Sequence, residues 1–153
     1  LIVGGGTVKD VRVNGFVFTE DESRFEGGTP NIPGIIGLKE GIGILNKVGI
    51  KRIEEKNKKL GGYLYKTLRE LEFLRIYGKK NSGIVPFSFE GMNPYDVAVL
   101  LDEIGSICVR AGHHCAMILV NSLDSNGVVR VSTNFYNTKE EIKTLRDTLI
   151  EMH

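Results

Sequence analysis

The chain has little of several things that mark specialised classes of protein. It contains no tryptophan, two cysteines and four prolines in 153 residues. Two cysteines cannot build the disulfide framework of a small secreted domain, so both are expected as thiols in a reducing compartment. No apolar run approaches the length of a membrane span, and the N-terminus lacks the layout of a secretory signal. We expect a soluble, cytoplasmic protein.

The chain also has no excess of charge of one sign, since 20 basic residues are interspersed with 19 acidic ones. No basic stripe is present that would favour nucleic acid or a membrane surface, so small molecules or proteins are the expected partners. A hydrophobic content of 41% allows one compact core. The chain opens on Leu1 without an initiator methionine. We therefore expect a piece of a longer protein.

Apolar periodicity predicts the elements of the first half. Asn14-Gly15 between apolar residues predicts a hairpin over 11–18. The Gly/Pro-rich stretch 19–33 predicts a loop. Helical spacing then runs from Gly34 to Val48, and a second helical stretch covers 50–71, weakened in its middle by a Gly-Gly pair.

The second half alternates strands and helices. Asn93-Pro94 is a helix start, with Gly105 as the expected cap, and Thr138 with Glu141 forms a capping box that opens a last helix. Pro86 predicts an edge or irregular strand position. Strands are predicted over 74–77, 83–89, 106–110 and 128–132.

This order predicts an α+β fold, with helices covering one face of a small, largely antiparallel sheet. A hairpin and loop alone would not form a core, which favours a boundary near Pro33. We expect residues 1–33 and residues 34–153 to belong to different domains.

The densest chemical cluster is Arg110–Met117, which reads RAGHHCAM. Cys115 follows His113 and His114, and these neighbours with Arg110 favour the thiolate, the reactive form of cysteine. Weak periodicity after Ala111 predicts a loop, where a reactive group can move between partners. The alternative is a small buried apolar cysteine beside surface histidines. The clustering favours the reactive interpretation.

The same side chains raise the question of a metal. His113, His114, Cys115 and Cys108 are all potential zinc ligands, but adjacent residues of an extended chain point to opposite sides. No CxxC or HxxxH pair is present. We expect no metal site, and we expect Cys108, within apolar 107–109, to be a buried strand residue.

Two further positions could bind anions. Arg130 interrupts the apolar strand 128–132, where a guanidinium could hold a carboxylate in a fork; an ordinary ion-paired arginine is an equal alternative. Gly28 and Thr29 could offer an N–H group and a hydroxyl to a phosphate, although such a segment is more often a turn.

Taken together, these motifs resemble the group II (Suf-type) cysteine desulfurases and selenocysteine lyases of the class V aminotransferase family. That resemblance implies a pyridoxal-phosphate (PLP) dependent fold type I enzyme. This chain would be its C-terminal portion, namely the end of the large domain (1–33) and the small domain with its connecting helix (34–153). The segments that carry the resemblance are 25–31, 34–38, 110–116, 130–132 and 136–138.

The resemblance implies roles for the site residues. Cys115 would be the nucleophile that takes sulfur from L-cysteine as a persulfide, with PLP as electron sink and alanine as product. Arg130 would clamp the substrate carboxylate, and Arg110 would be a second active-site arginine. Gly28 and Thr29 would reach the PLP phosphate of the other subunit in a homodimer. His113 and His114 are expected only to support the motif.

Further implications concern the whole enzyme. The sulfur would pass to an acceptor protein for iron–sulfur cluster assembly, and selenocysteine is the alternative substrate. Two departures matter: Ile118 stands where the family often has proline, and no lysine lies in the Ser/Gly-His-Lys context of the Schiff-base lysine. We expect this chain alone to be inactive. A class V aminotransferase with an incidental cysteine and a non-catalytic interaction module are the competing interpretations.

Overall fold

The computed structural model describes residues 4–80 and 83–153. The chain divides into two compact units, Leu1–Lys47 and Val48–His153. Over the described residues, no helix has the length and apolar character needed to cross a bilayer.

The first unit contains a hairpin and a long helix. Strands β1 (Val8–Arg12) and β2 (Gly15–Phe18) pair antiparallel, with Arg12 opposite Gly15, as the Asn-Gly turn predicts. A 3₁₀ turn (Glu22–Phe25), capped by Asp21, lies within the predicted loop. Helix α1 (Ile32–Val48) begins two residues before the predicted Gly34 and has no buried residue.

The second unit carries the core. Its elements are α2 (Ile50–Arg69), β3 (Leu74–Ile76), β4 (Ile84–Phe89), α3 (Pro94–Gly105), β5 (Arg110–Gly112), α4 (Met117–Leu123), β6 (Val128–Ser132) and α5 (Lys139–Met152). The sheet has the strand order β3-β4-β6-β5, and every neighbouring pair is antiparallel. Helices α2, α3 and α5 contact this sheet or one another. The α+β prediction with a small antiparallel sheet is confirmed.

The sheet of the second unit has two different faces, because successive side chains of a strand alternate. Phe87 and Val129 point into the main core with the leucines of α2, α3 and α5, and both are fully buried. Burying a side chain of this size stabilises the fold by about 1.5–3 kcal/mol. The opposite face holds a second, smaller cluster, formed by Tyr77, Val120 and Val128. We call this opposite face the open face.

The helix termini follow their predicted caps with one change. Asn93 accepts from the Tyr95 N–H group at the start of α3, and the Thr138–Glu141 capping box is formed at the start of α5. Helix α3 includes Gly105, and its C-cap is Ser106 in the left-handed region at φ 52°. Gly105 is therefore the last helical residue rather than the cap.

Pro86 does not lie on an edge strand, so the edge alternative of that prediction is wrong. Strand β4 lies between β3 and β6, and Pro86 is opposite Arg130. Its carbonyl accepts from the Tyr77 N–H group at 2.9 Å. The nitrogen of Pro86 points toward β3, as its carbonyl does, but at a position just beyond the last residue of β3. The missing N–H group therefore costs the sheet little hydrogen bonding.

The segment before Cys115 also differs from its prediction. The strand predicted over 106–110 starts only at Arg110, and Cys108 is exposed rather than buried. Ile107 and Val109 are the residues that pack against the core. In an extended chain their intervening neighbour must face the other way, which places the Cys108 thiol outside. The apolar content of this stretch was not enough to show which residues faced inward.

Helix α4 was not predicted, because seven residues give too short a periodic pattern. The predicted loop is limited to the residues between β5 and α4 and those between α4 and β6.

Candidate functional site

Cys115 lies in the turn that joins β5 to α4, and its side chain is exposed. His114 and Cys115 both adopt left-handed backbone conformations, with φ of 52° and 54°. Such conformations cost non-glycine residues of order 1 kcal/mol or more each. The turn is closed by a 2.9 Å hydrogen bond from the Ala116 N–H group to the His113 carbonyl. The strained turn projects the thiol to the surface instead of burying it.

Two glycines allow the chain to enter and leave this loop. Gly112 has φ of 100°, and Gly127 has φ of 91°. A Cβ atom on Gly127 would lie 2.9 Å from the Gly112 Cα atom, so the two ends of the loop touch backbone to backbone. On the other side of Gly112, a Cβ atom would collide with the Tyr95 hydroxyl. Glycine is required at 112 for both its conformation and its close contacts.

His114 ties the turn to the sheet. Its Nε2 atom lies 3.0 Å from the Val128 carbonyl oxygen. A carbonyl can only accept, so Nε2 carries the proton in this contact. The supporting role predicted for His114 has a geometric basis here, while His113 is half-buried and contributes its backbone carbonyl to the turn.

Arg110 and Arg130 are opposite each other in the β5–β6 ladder. Directly opposed residues project from the same face, with Cβ atoms about 4.5–5.5 Å apart. Because Val129 and Val131 point into the core, both arginines belong to the open face. Neither forms an ion pair within residues 4–80 and 83–153. Two arginines that project from the same face without an ion-pair partner among the described residues could bind an anion.

The Arg130 side chain carries a stronger sign of a ligand. Its Nε atom is buried and has no hydrogen-bond partner among the described residues. Leaving a buried donor unpaired costs about 1–3 kcal/mol, so such an atom calls for an acceptor. A carboxylate that bridges the two arginines would supply it.

The Cys115 turn belongs to the same side of the sheet as the arginines. Helix α4 packs through Val120 against Val128 and Tyr77, which lie on the open face. Val128 precedes Arg130 by two residues and therefore shares its face. The structure thus brings together the thiol-bearing turn, His114 and both arginines on one side of the second unit.

Gly28 and Thr29 lie in the first unit, on the loop before α1. They line a cavity of about 460 Å³ with Glu26 and Ile35. The Gly28 N–H group already donates to the Gly5 carbonyl at 2.9 Å, so it is engaged within the unit. The N–H groups of Ile32 and Gly34 at the start of α1 are engaged as well, by the Pro30 carbonyl and the Asn31 side chain, so the Thr29 hydroxyl is the group of this segment that could contact a phosphate. Among the described residues, no group of three His, Cys, Asp or Glu side chains could hold a metal ion.

Two features near the Cys115 loop and the open face were not foreseen from the sequence. Tyr95 lies over Gly112, and Ser88 links Tyr77 to Asp124 by hydrogen bonds. Because side chains alternate along a strand, the sequence could have shown that Ser88 and Arg130 project from the same face of the sheet. No local pattern links it to Asp124, which is distant in sequence.

The chain belongs to the class V aminotransferase family, whose model matches residues 1–145. Among its relatives are proteins named "Probable cysteine desulfurase" from Methanothermobacter thermautotrophicus, 42% identical, and from Pyrococcus abyssi, 43% identical. Each alignment covers 99% of this chain and 39% or 38% of the relative. The chain therefore spans about two fifths of the length of these relatives.

Solved structures agree with this assignment. The apo structure of a cysteine desulfurase from Thermococcus onnurineus superposes with a TM-score of 0.87 at 43% identity, over 99% of this chain and 38% of that one. The Escherichia coli cysteine desulfurase CsdA gives a TM-score of 0.88 at 30% identity, again over 99% and 38%. The resemblance inferred from the motifs is confirmed at the level of family and fold.

Proposed function

We propose that this chain is the C-terminal part of a PLP-dependent cysteine desulfurase in which Cys115 accepts the sulfur. The observation that carries the proposal is the placement of an exposed thiol, in a strained turn, on the side of the sheet that also holds two unpaired arginines. The naming of its relatives as cysteine desulfurases supports the same substrate.

The substrate carboxylate would lie between Arg110 and Arg130. The fork geometry of guanidinium groups suits a carboxylate, and the buried Arg130 Nε atom would gain the acceptor it lacks. Because this end of the amino acid is fixed, its side-chain sulfur can be presented to the thiol-bearing turn.

The Cys115 thiolate would attack the sulfur of the bound cysteine. As the new S–S bond forms, the Cβ–S bond of the substrate breaks, and the carbon fragment takes the electron pair and a proton and leaves as alanine. PLP, when bound, supplies the electron sink that makes this cleavage possible. The persulfide on Cys115 would then pass to a sulfur-acceptor protein, which serves iron–sulfur cluster assembly.

The chain would supply part of the cofactor site. Thr29, on the loop that precedes α1, would contact through its hydroxyl the phosphate of PLP bound to the other subunit of a homodimer. The Schiff-base lysine would come from the part of the enzyme that these residues do not include, so this chain alone is proposed to be inactive. Residues 1–33 would belong to the large domain and residues 34–153 to the small domain, in a cytoplasmic enzyme.

The experiment that tests the function compares two cysteine variants of the full-length enzyme. Sulfide and alanine released from L-cysteine are measured for Cys115→Ala and Cys108→Ala, since both cysteines are exposed. We expect Cys115→Ala to abolish sulfide release and Cys108→Ala to retain it. Full sulfide release by Cys115→Ala would contradict the proposal and favour the alternative of a class V aminotransferase or related PLP lyase whose cysteine is incidental.

Two other outcomes separate the remaining alternatives. Faster release of selenide from L-selenocysteine, independent of Cys115, would indicate a selenocysteine lyase. Absence of any turnover with bound PLP would indicate a non-catalytic interaction module.

A further inference from the structure

A chain of hydrogen bonds crosses the open face away from the two arginines. Ser88 Oγ donates to Asp124 Oδ2 at 2.7 Å, and Tyr77 Oη lies 3.2 Å from Ser88 Oγ. A serine hydroxyl has one proton, which here goes to the carboxylate, so the Tyr77 hydroxyl must be the donor to Ser88. The chain runs from Tyr77 through Ser88 and ends on Asp124.

Asp124 is the residue that follows α4, and α4 follows the Cys115 turn. The Val120 N–H group donates to the Ala116 carbonyl at 2.9 Å, and the Asp124 N–H group donates to the Val120 carbonyl at 2.8 Å. These bonds make one continuous unit from the turn to Asp124. Asp124 is therefore linked to the Cys115 turn through the hydrogen bonds of α4.

Few apolar contacts hold helix α4. Seven residues are too few for a stable isolated helix. Val120 is the one buried residue of Met117–Leu123, and Leu123 packs half-buried against the same small cluster, as does Ala116 just before the helix. Its polar attachments are at its two ends, namely His114 on the Val128 carbonyl and Asp124 on Ser88.

Ser88 is a rigid anchor for the far end of α4. It lies on the internal strand β4, between Phe87 and Phe89, whose side chains are buried in the main core. The Tyr77 ring is also buried and packs against Val120 and Val128. The hydrogen bonds thus connect the short helix to the most stable part of the second unit.

We propose that Tyr77, Ser88 and Asp124 are positioning residues that hold the Cys115 turn in register with the carboxylate site at Arg110 and Arg130. This inference rests on the proposed function, because it concerns the approach of the Cys115 thiol to a substrate held by the arginines. The inference assigns none of the three residues a contact with the reacting atoms.

The charge state of Asp124 agrees with this role. The hydrogen bond from Ser88 lowers the pKa of Asp124, and the Asn126 N–H group and the charge of Arg75 lower it further. Asp124 is thus an ionised acceptor at neutral pH, and hydrogen bonds to ionised groups are the stronger kind.

Loss of this attachment should affect the rate of sulfur transfer more than substrate binding. A misplacement of about 1 Å can lower a rate by about 100-fold, whereas the arginines that set KM are unchanged. We expect Ser88→Ala to lower kcat for sulfide release by about tenfold or more, with KM within about twofold of wild type.

The test uses the full-length enzyme with its cofactor. The variants are Ser88→Ala, the conservative Ser88→Thr, and Tyr77→Phe, which keeps the buried ring and removes one hydroxyl. Tyr65→Phe, on α2, is the matched control for loss of a tyrosine hydroxyl. Sulfide release gives kcat and KM, and hydrogen exchange measures the protection of amides 116–124.

We expect Ser88→Ala to lose protection over amides 116–124 but not over α5, with kcat reduced and KM retained. Ser88→Thr should restore both readouts, Tyr77→Phe should show a smaller loss of the same kind, and Tyr65→Phe should resemble wild type. If Ser88→Ala does not fold, the comparison of Tyr77→Phe with Tyr65→Phe decides the question.

Three results would overturn the inference. Unchanged exchange in Ser88→Ala would show that α4 is held by other contacts. Increased exchange with unchanged kcat would show a structural role without positioning. Equal loss of protection in α5 would show general destabilisation. Failure of the proposed function looks different, because wild type would then release no sulfide or Cys115→Ala would remain active.

Discussion

Arg110 and Arg130 are directly opposed residues of the antiparallel β5–β6 ladder, and their side chains share the open face. Two like charges in this position repel each other, so the pair is unfavourable unless an anion lies between them. The buried Arg130 Nε atom without a partner indicates the same need.

Arg130→Lys is expected to raise KM for L-cysteine by about 10–100-fold, because a charge-assisted hydrogen bond contributes about 1.5–3 kcal/mol and lysine cannot form the fork. Steady-state sulfide release by the full-length enzyme measures the effect. Arg52→Lys, on the exposed surface of α2, is the control. An unchanged KM in Arg130→Lys would remove this residue from the substrate site.

Gly127→Ala is expected to destabilise the protein more than Gly91→Ala does. Both glycines have positive φ, 91° and 74°, but only at Gly127 would the new Cβ meet backbone, 2.9 Å from the Gly112 Cα atom. Nothing lies within 4 Å of a Cβ at Gly91. The shared strain is about 1–3 kcal/mol, and the collision adds to it.

Urea unfolding of the two glycine variants provides the comparison. Equal losses in the free energy of unfolding would show that Gly112 and Gly127 can move apart at no cost, contrary to the close contact between their backbones.

Glu141→Gln tests the capping box at the start of α5. Hydrogen bonds from the Thr138 N–H group and the Asn137 amide lower the pKa of Glu141. Its folded pKa lies below its unfolded value, so its contribution to stability is present above the unfolded pKa. That contribution is lost as the pH falls through the folded pKa. The stability difference between wild type and Glu141→Gln should therefore be largest near neutral pH.

Urea midpoints measured from about pH 7 to pH 3 follow this difference across the ordinary carboxyl range. Lys143→Gln, an exposed change on the same helix, serves as the control. A difference that grows as the pH falls would reverse the assigned sign.

Cys108 and Cys115 should both react with iodoacetamide in the native protein, because both side chains are exposed and neither forms a disulfide. Intact mass is expected to show two added groups without denaturant, and peptide mapping assigns them. If only Cys115 is labelled until urea is added, Cys108 is buried, as its apolar neighbours predict, and its exposure in the structure is contradicted.

Local signals determined several elements of this protein. Asn14-Gly15 specified the hairpin, a short apolar run specified β6 from Val128 to Ser132, and the Thr138–Glu141 pair specified the start of α5. In each case the information lies within a few residues, because a turn, a short apolar run or a cap is a local event. The motif around Cys115 likewise indicated its family, which depends on residue identity.

Tertiary structure decided the rest. The side to which Cys108 faces, the internal position of Pro86, the opposition of Arg110 and Arg130 and the bond from Ser88 to Asp124 all depend on distant segments. Strand order and register fix these contacts, and they are set by packing of the whole second unit rather than by any local pattern. The sequence therefore determined which chemical groups are present, and the fold decided which of them meet.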